Sequence, residues 1–196
     1  MSDARHALAE TLRAIHLLID EADLRPAEVL NVADLSIATG VPEETVSALL
    51  RGEDVVEVQL VGRVSQRFRL LRETRLRHDG KTHSIREIAT AIGTSHQALT
   101  PIAKGTGKPG LETAVNIETF FGVPTGFLTK EAVPALNEAL QLVLHNLKGA
   151  ADPLSHFMTS HGLVTIAQRG GKTLTQRQRT AIASMLDVVL DEGAGR

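Results

Sequence analysis

The stretch Ser84–Gly105, SIREIATAIGTSHQALTPIAKG, has the pattern of two short helices joined by a tight turn. Ser84 with Glu87 three residues on is a capping box, in which a hydroxyl takes one orphan N–H of the helix start and a carboxylate reaches back for another. A helix therefore begins beside Ile85 and carries Ile85, Ile88, Ala89 and Ile92 on one face. Gly93 stands where a helix can leave through a left-handed residue at no Cβ cost. Thr94 and Ser95 can cap a second helix with Leu99 and Ile102 on its buried side, and Gly105 ends it.

A small residue, a glycine at the turn and two later aliphatics suit two helices that cross steeply over a small core. At these residues the chain resembles the helix-turn-helix of the λ-repressor-like (XRE/Cro-C1) family of transcription regulators. The same spacing also suits a helical hairpin of any all-α protein. The resemblance makes Ser95–Lys104 the recognition helix, with its N-terminal outward residues facing base edges in a major groove. Ser95, His96, Gln97 and Thr100 lie opposite Leu99 and Ile102 and are the expected base contacts. Gln97 is the foremost, because its amide can pair bidentately with adenine.

The 196 residues suffice for one ordinary domain or two small ones. With no Cys, disulfides and thiolate zinc sites are excluded, as suits a reducing cytoplasm. No apolar run approaches the ~18 residues of a membrane span, and the N-terminus carries Asp3 and Glu10 in an amphipathic pattern instead of a signal-peptide core. A soluble cytoplasmic, nucleoid-associated protein without a membrane partner is the expectation. Trp and Tyr are absent, so single strands would find few stacking platforms.

The net charge of −2 conceals a partition. Residues 1–62 hold four Lys/Arg against twelve Asp/Glu (−8), residues 63–108 hold ten against three (+7), and residues 109–196 hold seven against eight (−1). The basic block, Arg63, Arg67, Arg69, Arg72, Arg75, Arg77, Lys81, Arg86, Lys104 and Lys108, surrounds the two-helix stretch. Phosphate neutralisation needs local positive charge and ignores acidic surface beyond a Debye length of ~8–10 Å. Duplex DNA is the expected partner, anchored by Arg77, Lys81, Arg86, Lys104 and Lys108.

Along the chain, Leu8, Leu12, Ile15, Leu18 and Ile19 make Asp3–Asp20 an amphipathic helix. The segment after it, NVADLSIATGVPEETVSALLRG, repeats the central stretch 53 positions earlier: Leu35 with Ile88, Ala38 with Ala91, Gly40 with Gly93, Val46 with Leu99, Leu49 with Ile102, Gly52 with Gly105. Pro42-Glu43-Glu44 opens its second helix with carboxylates, which suit the helix dipole and repel phosphates. Val55–His78 is expected as one long helix with its weak point at Gly62. Leu111–Phe121 follows, with Leu111, Ala114, Val115, Glu118 and Phe121 at helical spacing; Phe127 and Leu128 plug the core, and Pro134–Leu147 forms another helix. Further helices are expected after Asp152-Pro153, over Leu163–Arg169 and from Thr175, where Gln178 completes a second capping box. The last helix carries Ile182, Met185, Leu186 and Val189 on one face, a natural dimer interface.

The fold expected is all-α: tandem helix-turn-helix units followed by a helical dimerisation domain, divided as 1–62 (acidic unit), 63–131 (DNA-binding domain) and 132–196 (dimerisation domain). From KPGLETAVNIETFFGVPTGFLTKE to GLVTIAQRGGKTLTQRQRTAIASMLDVVLDEG the chain is similar to mycobacterial EspR-type actinobacterial regulators. That resemblance implies that residues matching Leu111–Phe127 complete the DNA-binding domain, and that Ile166-Ala167-Gln168-Arg169 and the final helix form the dimerisation domain. The acidic unit has no counterpart there. Pro101 departs from the pattern as well, because it removes the N–H that would bond the Gln97 carbonyl, so a kinked or shortened recognition helix is expected. Gly171-Lys172-Thr173 lacks the earlier glycine of a phosphate-binding loop, and His156 and His161 lack further metal ligands. No nucleophile, base and orienter stand together, so neither an enzyme nor a cofactor is expected. A homodimeric, sequence-specific regulator of transcription is the first reading and a protein-binding adaptor or anti-repressor that keeps the shape without touching DNA is the second. Residues 1–62 either mask the basic domain, recruit another protein, or complete a shared core.

Overall fold

The computed structural model describes residues 2–151 together with 181, 182 and 185. Its elements are α1 (Ser2–Glu21), α2 (Pro26–Val29), α3 (Val32–Thr39), α4 (Glu43–Leu50), α5 (Leu60–Thr74), α6 (Ile85–Ala91), α7 (His96–Lys104), α8 (Leu111–Phe121) and α9 (Ala132–Ala151). No strand occurs among the described residues, so the expected all-α class holds. Two compact units divide the chain: Met1–Glu10 with Leu30–Ala139, and Thr11–Val29 with the described part of Leu140–Arg196. The helices expected after Asp152-Pro153 and over Leu163–Arg169 lie outside the described residues, as do Leu186 and Val189.

The larger unit contains both helix pairs, and their match at the 53-residue offset extends to the backbone. Asn31 and Ser84, one offset apart, are the N-caps of α3 and α6. Gly40 and Gly93 both take positive φ, 68° and 71°, at the turns. Leu35, Val46 and Leu49 are buried in the first pair, as are Ile88, Leu99 and Ile102 in the second. The second pair joins Val64, Phe68 and Leu71 of α5, Ala114, Ile117 and Phe121 of α8, and Phe127 and Leu128 in one cluster. Burial of this kind is worth roughly 1.5–3 kcal/mol for each large aliphatic or aromatic side chain.

Between Val55 and His78 the helix is shorter than expected. It begins at Leu60, after a Gln59 in extended conformation (φ −55°, ψ 145°). Residues 55–59 are held out of a helix by side chains that need other partners: Glu57 accepts the Ala132 N–H at 2.8 Å and pairs with Arg63 at 3.2 Å, and the Val58 carbonyl accepts from Arg63. Leu111, expected on the inner face of α8, is exposed at the first turn; the inner positions are Ala114, Ile117, Glu118 and Phe121.

Arg67 and Glu118 sit at core positions of α5 and α8 and clamp the turn after α8 from two sides. Arg67, 1% exposed, donates through Nη1 to the carbonyls of Phe127 (2.5 Å) and Lys130 (2.6 Å), and through Nε to that of Gly40 (3.4 Å). Glu118 accepts the backbone N–H groups of Gly126 and Leu128, each at 2.9 Å. Burial, with nearby Arg63 adding to it, pushes the Arg67 pKa down to about 10, which leaves it charged at neutral pH. The cation thus ties the turn of the first helix pair to the core of the second.

In the smaller unit Leu12, Ile15 and Ile19 of α1 are buried, as are Leu140 and Leu144 of α9. Gln141 Nε2 donates to Thr11 Oγ1 at 2.6 Å, tying the two helical segments together.

Candidate nucleic-acid interface

The capping box that opens α6 is complete: Ser84 Oγ accepts the Glu87 N–H at 3.2 Å, and Glu87 Oε2 accepts the Ser84 N–H at 2.8 Å. These bonds hold the Glu87 carboxyl below its ordinary pKa, first through the Ser84 backbone and then through its hydroxyl. At the other end of α6 the Thr94 N–H reaches the Ala89 carbonyl at 2.8 Å around Gly93, which closes the turn and delivers the chain to α7.

Ser95 caps α7 by accepting the Ala98 N–H at 3.1 Å. One lone pair of its hydroxyl is engaged with the helix, and the hydroxyl proton and the second lone pair remain to meet a base. His96 and Gln97 are exposed, on the side opposite buried Leu99 and Ile102. Thr100 is half-buried and donates to the His96 carbonyl at 2.8 Å. The four expected base-contact residues therefore lie at the cap and within the first turns of one helix, with Ser95, His96 and Gln97 exposed and Thr100 half-buried.

Pro101 neither breaks nor shortens α7, which runs on to Lys104 and ends at Gly105 with φ 71°. Proline deprives one carbonyl, that of exposed Gln97, of its helical donor, and water can serve that carbonyl. The Pro101 carbonyl meanwhile accepts the N–H groups of Thr106 (2.9 Å) and Gly107 (3.1 Å) and the Thr106 hydroxyl (3.3 Å).

The basic block separates into committed and free cations. Arg67 is buried in the core, Arg63 pairs with Glu57, and Arg72 donates to the His83 carbonyl at 3.0 Å. Arg77 lies between Glu87 (2.5 Å) and Asp79 (3.4 Å), so its charge is largely met within the chain. Lys81, Arg86, Lys104 and Lys108 are exposed and make no ion pair among the described residues; Arg69 and Arg75 share that state. The net of +7 counted along the sequence overstates what a ligand meets, because Arg67 and Arg63 belong to the interior.

In the first helix pair the positions equivalent to Ser95, His96 and Gln97 are Pro42, Glu43 and Glu44. Pro42 caps α4 without a side-chain hydrogen bond, and both glutamates are exposed. No group of three or more His, Asp or Glu that could hold a metal occurs among the described residues, and no helix among them is long and apolar enough to cross a membrane.

Architecture and site together define an arrangement that is all-helical among the described residues, with a helix-turn-helix at its centre. A family model described as helix-turn-helix matches residues 71–128, from the end of α5 through α8 to the plug at Leu128. Residues 71–128 therefore carry a helix-turn-helix domain. No curated protein and no solved structure matches the chain.

Proposed function

We propose that this protein is a homodimeric regulator of transcription that reads double-stranded DNA with α7. The observation that carries the reading is the conjunction of outward His96 and Gln97 on α7 with the free cations Arg86 and Lys104 on the same helix pair and Lys81 and Lys108 in the segments flanking it, inside the stretch that matches the helix-turn-helix family. Ser95, His96, Gln97 and Thr100 supply base contacts, and Arg77, Lys81, Arg86, Lys104 and Lys108 neutralise phosphates, Arg77 only after yielding its carboxylate partners. Dimerisation runs through Ile182, Met185, Leu186 and Val189, whose helical spacing in the sequence gives an apolar face that a second copy would bury; Met185 is exposed and Ile182 half-buried. Two copies would then present two recognition helices to two half-sites.

An adaptor role is supported by the acidic first pair, whose Glu43 and Glu44 face outward where a reading helix would need neutral or basic side chains. The bond from Arg67 to Gly40 favours a shared core over a masking arm that swings onto α7. The test is a mobility-shift titration of the full chain on selected duplexes at two salt concentrations, with Gln97→Ala and its offset partner Glu44→Ala. Gln97→Ala is expected to cost about 1–3 kcal/mol of discrimination at one base position, while Glu44→Ala leaves the preferred sequence unchanged. An unaltered preference in Gln97→Ala removes Gln97 from the reading set, and salt-independent binding or none removes DNA as the ligand.

A further inference from the structure

We propose that Gly107 is a positioning residue for DNA binding, acting through Lys108. This rests on the duplex-binding reading above and adds a residue to it. The loop from Gly105 to Gly110 is fastened at its start. Ser65 Oγ of α5 donates to the Ala103 carbonyl at 3.2 Å, fixing the end of α7. From there Thr106 and Gly107 fold back so that both N–H groups reach the Pro101 carbonyl, at 2.9 and 3.1 Å. This return brings the Gly107 backbone against the proline ring: a Cβ added at Gly107 would stand 2.9 Å from Pro101 Cβ and 3.7 Å from its carbonyl carbon. A proline ring has no side-chain torsion with which to swing aside, so the close approach exists only with glycine at 107.

Lys108 follows directly. It is exposed and makes no ion pair among the described residues, so its charge is available. Pro109 restrains it from the other side, since a residue before proline is confined to extended conformations. A free cation thus sits on a backbone restrained at both ends, which lowers the entropy lost when it meets a phosphate. In this arrangement Pro101, the residue that looks out of place in a recognition helix, is the wall against which the loop is set. Gly110, three residues on in the same loop, has open space around its Cβ position and a φ of −65°, so it serves as an internal control.

The experiment compares the full chain with Gly107→Ala, Gly110→Ala, Lys108→Ala and the double variant Gly107→Ala/Lys108→Ala, by titration of a mixed-sequence duplex over a range of salt. Gly107→Ala is expected to weaken binding by the factor seen with Lys108→Ala and to lower the slope of log K against log salt by about one, as the loss of one phosphate contact does. The double variant should be no weaker than either single, and Gly110→Ala should match the parent. Pro109→Ala introduces no clash and keeps the test open should Gly107→Ala fold poorly; it is expected to weaken binding about two- to fivefold by freeing the Lys108 backbone. A slope unchanged in Gly107→Ala, losses that add in full with Lys108→Ala, or parental affinity in Pro109→Ala would each overturn the role of Gly107 while leaving DNA binding standing. A parent chain that binds no duplex overturns both.

Discussion

The two helix pairs share one backbone design and differ in what they do with it. α3–α4 and α6–α7 have their caps, turn glycines and core aliphatics at matching positions 53 residues apart. The turn of the second pair is open: a Cβ added at Gly93 would meet nothing within 4 Å. The turn of the first pair is filled from behind, because a Cβ at Gly40 would stand 2.7 Å from Arg67 Cγ and 2.9 Å from Phe127 Cζ. One turn is free at the surface beside a polar, cation-flanked helix, and the other is an anchor point beside an acidic helix. A fold repeated within one chain need not be repeated in its task.

The sharpest way to break this comparison is to remove the anchor. Arg67→Met keeps an unbranched apolar stem and deletes the donors to three carbonyls, leaving those of Phe127 and Lys130 without a partner in the interior. A loss of about 3–5 kcal/mol is expected, from the charged hydrogen bonds together with the stranded acceptors. Urea unfolding checks it; a loss below about 1 kcal/mol would mean that solvent reaches the site. If the first pair depends on this tether, its helices should also become more susceptible to proteolysis than α6–α7.

The glycine pair sharpens the same contrast without touching a charge. Both positions have left-handed φ, so alanine costs about 1 kcal/mol of backbone strain at either. At Gly40 the new methyl must also displace Arg67, which its three hydrogen bonds hold in place, and overpacking adds about 1–3 kcal/mol. Gly40→Ala is therefore expected to be about 3 kcal/mol destabilising and Gly93→Ala about 1 kcal/mol, measured by thermal or urea unfolding. Equal losses would show that the first turn is not wedged.

Most of the architecture was legible in the residues because its signals are local. The capping box at Ser84, the glycine exits at Gly93, Gly105 and Gly122, and the repeat at 53 each follow from one helix end or one aliphatic spacing. The core clamp was only half legible: Glu118 falls at helical spacing with the apolar residues of α8, whereas Arg67 looks like surface. Arg67 stands in a run of arginines, yet it falls on the stripe of Val64, Phe68 and Leu71; Glu118 falls in the same way among Ala114, Ile117 and Phe121. A charged residue on an apolar stripe was the available signal in both helices. Its partners were not, since they are backbone groups of a turn distant in sequence. The shortening expected at Pro101 does not occur, and the use of this residue was not legible because it lies in the loop that follows α7. The free and committed cations could not be told apart by counting, because commitment depends on which carboxylates the fold brings near.

The smallest expected effect lies in how the two pairs are capped, and pH separates them. α6 begins with a titratable cap: Glu87, held below its ordinary carboxyl pKa by the Ser84 N–H and hydroxyl, is lower in the folded chain than in the unfolded one. A carboxyl shifted in that direction stabilises the fold at pH values above its ordinary 4.5, and the contribution fades as pH falls through that value and then through the lower folded one. α3 begins instead with the Asn31 side-chain oxygen, which accepts the N–H groups of Ala33 at 2.9 Å and Asp34 at 3.2 Å and does not titrate. Glu87→Gln keeps the reach of the side chain and removes the charge, so the stability gap between parent and variant should be widest near neutrality and close as pH is lowered below about 4. Asn31→Ala should open a gap of about 1 kcal/mol that stays flat over the same range. Unfolding curves at a series of pH values distinguish them: a constant gap for Glu87→Gln would assign its effect to geometry instead of charge, and the cap of α6 would then differ from that of α3 in shape and not in titration.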